Sequence, residues 1–199
     1  MEPPSIESPT NTHPLNTNWI IWYHNPDDKN WDITSYKSIL ELKTVEDFLV
    51  LINSWDECLP KVTEGMYFIM RKFNKDDIIY PRWEDKYNKN GGYWSFKVSD
   101  LESGEIWNNL CKILIGEGVS ELNAMDINGI SISPKKNFCI IKIWNNNSNK
   151  MGVDILSSEL NKLLNIDEVK YSSHNKNIKR DRDKIEKYKK RRRKGLTKF

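Results

Sequence analysis

Trp31 and Trp83 each follow a polar turn segment and have charged neighbours, a setting with no obvious core for a large aromatic ring to fill. One reading folds them back over the core. The other makes them stacking platforms, because a nucleobase on an aromatic side chain gains roughly 1–3 kcal/mol. Two indole faces would also favour a base carrying positive charge, such as a methylated guanine, through cation–π attraction. Glu84, beside Trp83, supplies the complementary group. Its carboxylate accepts two parallel hydrogen bonds from the ring N–H and exocyclic amine of guanine, a pair that adenine does not offer. Phosphates attached to such a base need cations, and the turn Pro134-Lys135-Lys136-Asn137 provides Lys135 and Lys136. By contrast, Trp19, Trp22, Trp55, Trp94 and Trp107 lie within predicted strands or helices, where packing is the ordinary explanation.

Other chemistries find little support. His13, His24 and His174 have no Cys or carboxylate arrangement resembling a catalytic triad or metal site. Asp27, Asp28, Asp76 and Asp77 read as solvated turn residues, and Gly91-Gly92 lacks the spaced glycines and following Lys of a phosphate-cradling loop. Catalysis, a metal and a cofactor are therefore not expected. Cys58, Cys111 and Cys139 are odd in number and widely separated, which fits a reducing compartment. No apolar run approaches the roughly 20 residues of a membrane helix, and Met1-Glu2-Pro3-Pro4-Ser5 lacks the start of a secretory signal. The expected location is cytoplasmic, with a nuclear fraction allowed by the basic C-terminus.

The elements that must position these residues are legible from periodicity. Apolar and β-rich stretches predict strands over 16–23, 35–42, 65–73, 93–98, 127–133 and 138–144, with a last one over 169–172. Thr44 followed by Asp47 forms an approximate capping box for a helix to about Trp55, whose Phe48, Leu51, Ile52 and Trp55 share one face. A second helix runs from near Ser99 to Gly116, and Val153 to Leu164 is amphipathic. Strand pairs separated by helices imply an α+β fold, an antiparallel sheet covered by helices on one face and open on the other.

Charge divides the 199 residues unevenly. Residues 175–199 hold 13 Lys/Arg and 3 Asp/Glu, a balance of +10, whereas residues 1–174 carry 18 against 25, a balance of −7. The organisation read from this is a disordered N-terminal arm (1–12), one domain (13–174) and a basic C-terminal tail (175–199). The tail is either a solvated segment or an electrostatic handle for nucleic acid.

The run Trp83-Glu84-Asp85-Lys86-Tyr87-Asn88-Lys89-Asn90-Gly91-Gly92-Tyr93-Trp94 resembles the signature of the eukaryotic translation initiation factor 4E family, the messenger RNA cap-binding proteins. Other stretches agree in order: His13-Pro14-Leu15 with Trp19 and Trp22, Trp31, Thr44 to Phe48, Trp107, Ile115-Gly116-Glu117, Trp144 and Ser173-His174. The resemblance implies a cupped, curved antiparallel sheet of about eight strands with three helices on its convex face. It also implies that the concave side holds the 7-methylguanosine cap, with Trp31 and Trp83 stacking on the base, Glu84 reading guanine and Trp144 near the base's methyl group.

The departures are informative too. The family carries a basic residue immediately before the last Trp of the signature, where this chain has Tyr93. Counting back from Trp144 puts Lys135 on one phosphate-binding position and Ile140 on the other. Lys142, two residues from Trp144 and so on the same strand face, is placed to restore charge, as are Lys176, Lys179 and Arg180 from the tail. The convex back of the family binds a helical peptide from the scaffold factor 4G or from inhibitory proteins. His13, Pro14 and Val45 are retained there, but Leu49 replaces the usual Trp, and Asn108, Asn109 and Lys112 stand where apolar or acidic groups are customary. Three functions are compatible: an initiation factor delivering capped RNA to a scaffold partner, a regulator that sequesters caps, and a general RNA-binding module using the tail.

Overall fold

The computed structural model describes residues 12–196, with side chains to residue 190. Nearly all of the arm expected over 1–12 thus lies outside the described residues. Seven strands, all paired antiparallel, form one curved sheet in the order β2-β1-β3-β5-β6-β4-β7. They are β1 (Pro14–His24), β2 (Lys37–Thr44), β3 (Met66–Lys72), β4 (Gly92–Ser99), β5 (Ile127–Pro134), β6 (Phe138–Asn145) and β7 (Lys170–Ser173). The count is close to the eight expected. Irregular register between β1 and β2, and again between β5 and β6, introduces the local bends that a curved sheet needs.

Helix α1 (Val45–Cys58) starts where the sequence says it should. The Thr44 side chain accepts from the Asp47 N–H, and the Asp47 carboxylate accepts from the Thr44 N–H in return. Helix α2 (Asp100–Ile115) is capped by Ser99 and closes at Gly116. Its last turn ends in a Schellman arrangement, in which the Glu117 N–H donates to the Leu114 carbonyl and the Gly118 N–H to that of Ile113. The amphipathic stretch after Val153 is helical only in part: a single 3-10 turn, Val153–Ile155, precedes the short α3 (Ser158–Leu163).

Alternation along each strand sorts side chains to two faces. Trp19 and Ile21 of β1, Tyr67 and Ile69 of β3, and Ile141 and Ile143 of β6 join Phe48, Leu51 and Trp55 of α1 and Trp107, Leu110 and Leu114 of α2 in the main core. The opposite face was expected to lie open. It instead carries a second apolar cluster of Ile20, Trp22, Tyr36, Met66, Phe68, Met70, Ile79 and Trp144, against which Trp83, Tyr87 and Tyr93 pack. The loops between β1 and β2 and between β3 and β4 fold over that face and so shelter it.

The basic C-terminus is not an extension without structure. Helix α4 spans His174–Leu196, following β7 directly. Its foot is buried through His174 and Asn177, whereas every side chain from Arg182 to Lys190 is exposed. The spacing of apolar residues gave no sign of this helix, because it packs so little.

Candidate nucleic-acid interface

A cavity of about 500 Å³ opens on the concave face, and its lining includes Trp31, Tyr36, Arg82, Trp83, Glu84, Lys135, Lys142 and Trp144. Six of the residues singled out from sequence therefore surround one space. Ile140 lines it as well, from the position where the family has a basic group. Lys136 is exposed at the β5–β6 turn and does not line the cavity. Lys179 and Arg180 border a separate hollow on α4 with Lys176, Lys184 and Lys187. From that helix it is Asp181 that reaches the cavity, with Arg180 and Lys184 beside it at 3.9 and 3.4 Å.

Trp31 lies in the loop after β1 and is half exposed. The face turned inward stacks on His24, with ring centroids 4.4 Å apart and planes within 2°. His24 is itself buried, Nε2 lying 2.8 Å from the Asn30 carbonyl oxygen and the ring tilted against Tyr36. Residue types alone assign this histidine no role, since they do not reveal a stack across a loop. Its position at the end of β1, in alternation with Ile20 and Trp22, is the one signal that places it on the concave face.

The loop carrying Trp83 and Glu84 is held by polar contacts rather than by regular structure. Buried Asn88 donates through Nδ2 to the carbonyls of Tyr80 and Arg82, both at 2.8 Å, and accepts from Asn128 Nδ2 at 2.9 Å. The Asp85 carboxylate accepts from the Tyr87 N–H at 2.9 Å and the Tyr80 N–H at 3.3 Å, and burial raises its pKa. Outside these, Asp77 accepts from Lys86 Nζ at 2.6 Å and from the Tyr87 hydroxyl, contacts that lower its pKa. Gly91 then lies so close to β6 that a Cβ there would fall 1.9 Å from the Asn145 carbonyl oxygen. The glycine pair is therefore a place of close backbone approach as well as a turn.

Glu84 is exposed, with one carboxylate oxygen 3.8 Å from Arg82 Nε, too far for a hydrogen bond. Its acceptor capacity remains available to a ligand. On the sheet floor, Trp144 is buried and donates from Nε1 to Ser131 Oγ at 3.0 Å. Beside it His174 is fully buried, 4.8 Å from the Trp144 ring and 5.5 Å from that of Tyr93. Burial, reinforced by the charge of Lys142, drops the His174 pKa to about 3, so this imidazole stays neutral at ordinary pH. Lys142 Nζ sits 4.6 Å from the centre of the Tyr93 ring. Burial and, secondarily, the charge of Lys135 lower its pKa to about 8. The aromatic residue that departs from the family pattern thus supports a lysine on the neighbouring strand.

On the convex side, His13 lies beside Glu46, its backbone N–H donating to one carboxylate oxygen at 2.9 Å and Nδ1 lying 2.6 Å from the other. The His13 carbonyl accepts from the Val45 N–H at 2.8 Å, which fixes the chain next to α1. Pro14 opens β1 opposite Thr44. Val45, Leu49 and Val50 are exposed apolar residues on α1. On α2, Asn108 and Asn109 are partly buried, and Lys112 Nζ donates to Asn109 Oδ1 at 3.1 Å. Among the described residues no cluster of His, Cys, Asp and Glu could hold a metal ion, and no helix is long and apolar enough to cross a membrane.

With this geometry in view, the family model for eukaryotic initiation factor 4E matches residues 14–189. Eukaryotic translation initiation factor 4E-1B of Danio rerio is 34% identical over 153 residues, covering 74% of this chain and 68% of that protein. Eukaryotic translation initiation factor 4E of Eremothecium gossypii is 27% identical over 161 residues, covering 78% and 73%. Among solved structures, initiation factor 4E-3 of Ascaris suum in complex with the m7G cap superposes with a TM-score of 0.58 at 27% identity, covering 70% of this chain and 76% of that one. A C. elegans 4E-3 complex with the 4E-binding protein Mextli and a cap analog has a TM-score of 0.68 at 22% identity, covering 83% and 95%, and speaks for the fold.

Proposed function

Because this chain belongs to the eukaryotic initiation factor 4E family, we propose that it binds the 7-methylguanosine cap of messenger RNA in the concave cavity and acts in translation initiation, in the cytoplasm. The observation that carries this reading is the meeting of Trp31, Trp83 and Glu84 around one cavity with Lys135 and Lys142. In it, the methylated base lies between the two indoles, Glu84 accepts from its ring N–H and amine, Trp144 borders the methyl group, and the two lysines face the phosphates. The charge on the base strengthens both stacks, because each indole presents its negative face.

Trp31→Ala and Trp83→Ala are each expected to weaken binding of a cap analogue by roughly 5- to 150-fold, the equivalent of about 1–3 kcal/mol of stacking. Both residues sit in loops, so the fold should survive. Titration followed by intrinsic tryptophan fluorescence, with circular dichroism as the check on folding, is the measurement. A folded variant with parental affinity would place the base elsewhere.

Lys142 makes the phosphate contribution sensitive to pH. With a pKa lowered to about 8 it is charged below that pH and neutral above, so affinity for a cap triphosphate should fall as pH rises through 8. The sign for stability is the reverse: charging the lysine in the free protein opposes folding below pH 8, and that penalty is relieved as pH rises from 8 towards 10.5. Lys142→Arg stays charged throughout and cancels any titration of the ligand itself. The ratio of parental to Lys142→Arg affinity, measured from pH 7 to 9.5, should therefore drop. A flat ratio would remove Lys142 from the phosphate site.

The exposed Val45, Leu49 and Val50 on α1 support a second surface, for a helical peptide of a scaffold or regulatory protein. Leu49 offers apolar area without the breadth of an indole, which favours a peptide shaped differently from those of the family's usual scaffold. Capture on cap resin, followed by identification of co-retained proteins, separates a factor that recruits a scaffold from one that sequesters caps.

A further inference from the structure

We propose that the outer part of α4, from Arg182 onward, binds the RNA chain that follows the cap, so that the cavity and this helix form one continuous site for the 5′ end of a message. The proposal deepens the cap reading of the cavity and rests on it. Three side chains on one face of α4 tie the helix to the cavity wall. His174 packs beside Trp83 and Trp144, with ring centroids 6.4 and 4.8 Å away. Asn177 donates to the Tyr93 hydroxyl at 3.3 Å and accepts from Ser172 Oγ at 3.2 Å. Asp181, one further turn along, lines the cavity itself. At about 1.5 Å per residue, the stretch from Asp181 to Lys190 then carries the helix roughly 13 Å beyond this rim.

Along that stretch nothing is buried. Lys184 is paired with Asp181 at 3.4 Å, and Arg182, Lys187, Lys189 and Lys190 share the stretch with Asp183 and Glu186 as opposite charges; all nine residues from Arg182 to Lys190 are exposed. Cations near a helix C-terminus are favoured by the helix dipole, which accounts for the helix tolerating this composition. The dipole does not account for the stretch from Arg182 to Lys190 having no buried residue, since packing normally supplies most helical stability in a folded protein. Its dominant surface property is positive potential, starting at the edge of a cavity that suits a nucleobase and projecting from a body that is net negative. An anionic polymer leaving that cavity past Asp181 comes within reach of this potential. A membrane fits less well, because Ile185 and Tyr188 are the only apolar side chains from Arg182 to Lys190 and a lipid surface requires an apolar face.

The test uses the full chain and a variant with R182Q, K187Q, K189Q and K190Q, in which glutamine keeps helix propensity while removing four charges. Both proteins are titrated with a cap dinucleotide, a capped 12-nucleotide RNA and the same RNA uncapped, at several salt concentrations. Circular dichroism verifies that α4 is retained. Dinucleotide affinity should stay within about twofold, whereas the capped 12-mer should bind the variant more weakly. Its slope of log affinity against log salt should flatten by up to about 3, from roughly 0.7 per phosphate neutralised on a single strand. An unchanged slope for the 12-mer, with dinucleotide binding intact, overturns the proposal while leaving the cap reading in place. Absence of dinucleotide binding by the parent instead overturns the cap reading and the continuous site with it. If the variant loses binding to polyglutamate but keeps the parental RNA slope, α4 serves an acidic protein and the RNA assignment is wrong.

Discussion

Arg71→Ala is expected to destabilise the fold by about 3–5 kcal/mol, the range found when one partner is removed from a buried ion pair. Arg71 is fully buried on β3, and all five of its N–H donors are engaged. Nη1 donates to Thr17 Oγ1 at 2.6 Å and to Glu117 Oε1 at 2.7 Å; Nη2 donates to Glu117 Oε2 at 2.7 Å and to the Ala124 carbonyl at 2.9 Å; Nε donates to the Ile127 carbonyl at 3.0 Å. The guanidinium also lies 4.3 Å from the Trp19 ring centre. Truncation would take the counter-charge from the largely buried Glu117 carboxylate, leaving it the Thr17 hydroxyl as a donor, and would remove one donor from each of two carbonyls. Lysine is no remedy, having three donors and no planar fork for a bidentate pair.

Glu117 shows how firmly the arrangement is imposed. It adopts φ of 59°, a left-handed conformation that costs a non-glycine residue roughly 1–2 kcal/mol. The helix ending would accept glycine there, yet a glycine could not reach Arg71. Urea unfolding of Arg71→Ala is the measurement, with Arg71→Met/Glu117→Gln as its partner. The double variant should recover much of the loss, because it leaves no buried charge without a counter-charge. Arg71 points to the helical side of β3 while Phe68 and Met70 point to the cavity side, so cap affinity of the folded fraction should hold. A loss under 1 kcal/mol for Arg71→Ala would mean that water or rearrangement compensates the pair.

What the sequence disclosed, and what it did not, follows the reach of the interactions involved. The caps at Thr44 and Ser99 are local, made within three residues, and both helices begin where those residues predict. Alternation is local as well, and it puts Lys142 and Trp144 on one strand face, where both line the cavity. Trp31, Trp83 and Glu84 were conspicuous because large or charged groups in polar loops demand a reason, and the family resemblance supplied one. The Arg71–Glu117 pair, 46 residues apart, and the His24–Trp31 stack left no such trace, since neither follows a period or a spacing. Helix α4 was missed for a different reason. Its charge was plain, but a helix anchored through so few residues writes no apolar stripe for periodicity to detect.

Glu84→Gln should be the most damaging single change to ligand recognition, weakening cap binding by about 2–5 kcal/mol, or roughly thirty-fold to several thousand-fold. The carboxylate is exposed in the free protein, yet a base held between Trp31 and Trp83 would cover it and exclude the water that solvates it. Its two oxygens would then answer two donors of guanine. Glutamine offers one acceptor and one amide donor, so one donor of the base would face another donor in a dry site. Charge compounds the mismatch. Arg82 Nε, buried and without a hydrogen-bond acceptor, lies 3.8 Å from Glu84, and neutralising the carboxylate leaves this cation facing a positively charged base. The comparison that isolates the role uses 7-methylguanosine and 7-methylinosine triphosphates, which differ in the exocyclic amine. The parent should discriminate against inosine because one carboxylate oxygen loses its donor, whereas Glu84→Gln should discriminate far less. If the Gln variant bound both ligands as the parent does, guanine would be read by some other group, and the cavity would be a stacking site without the specificity assigned to Glu84.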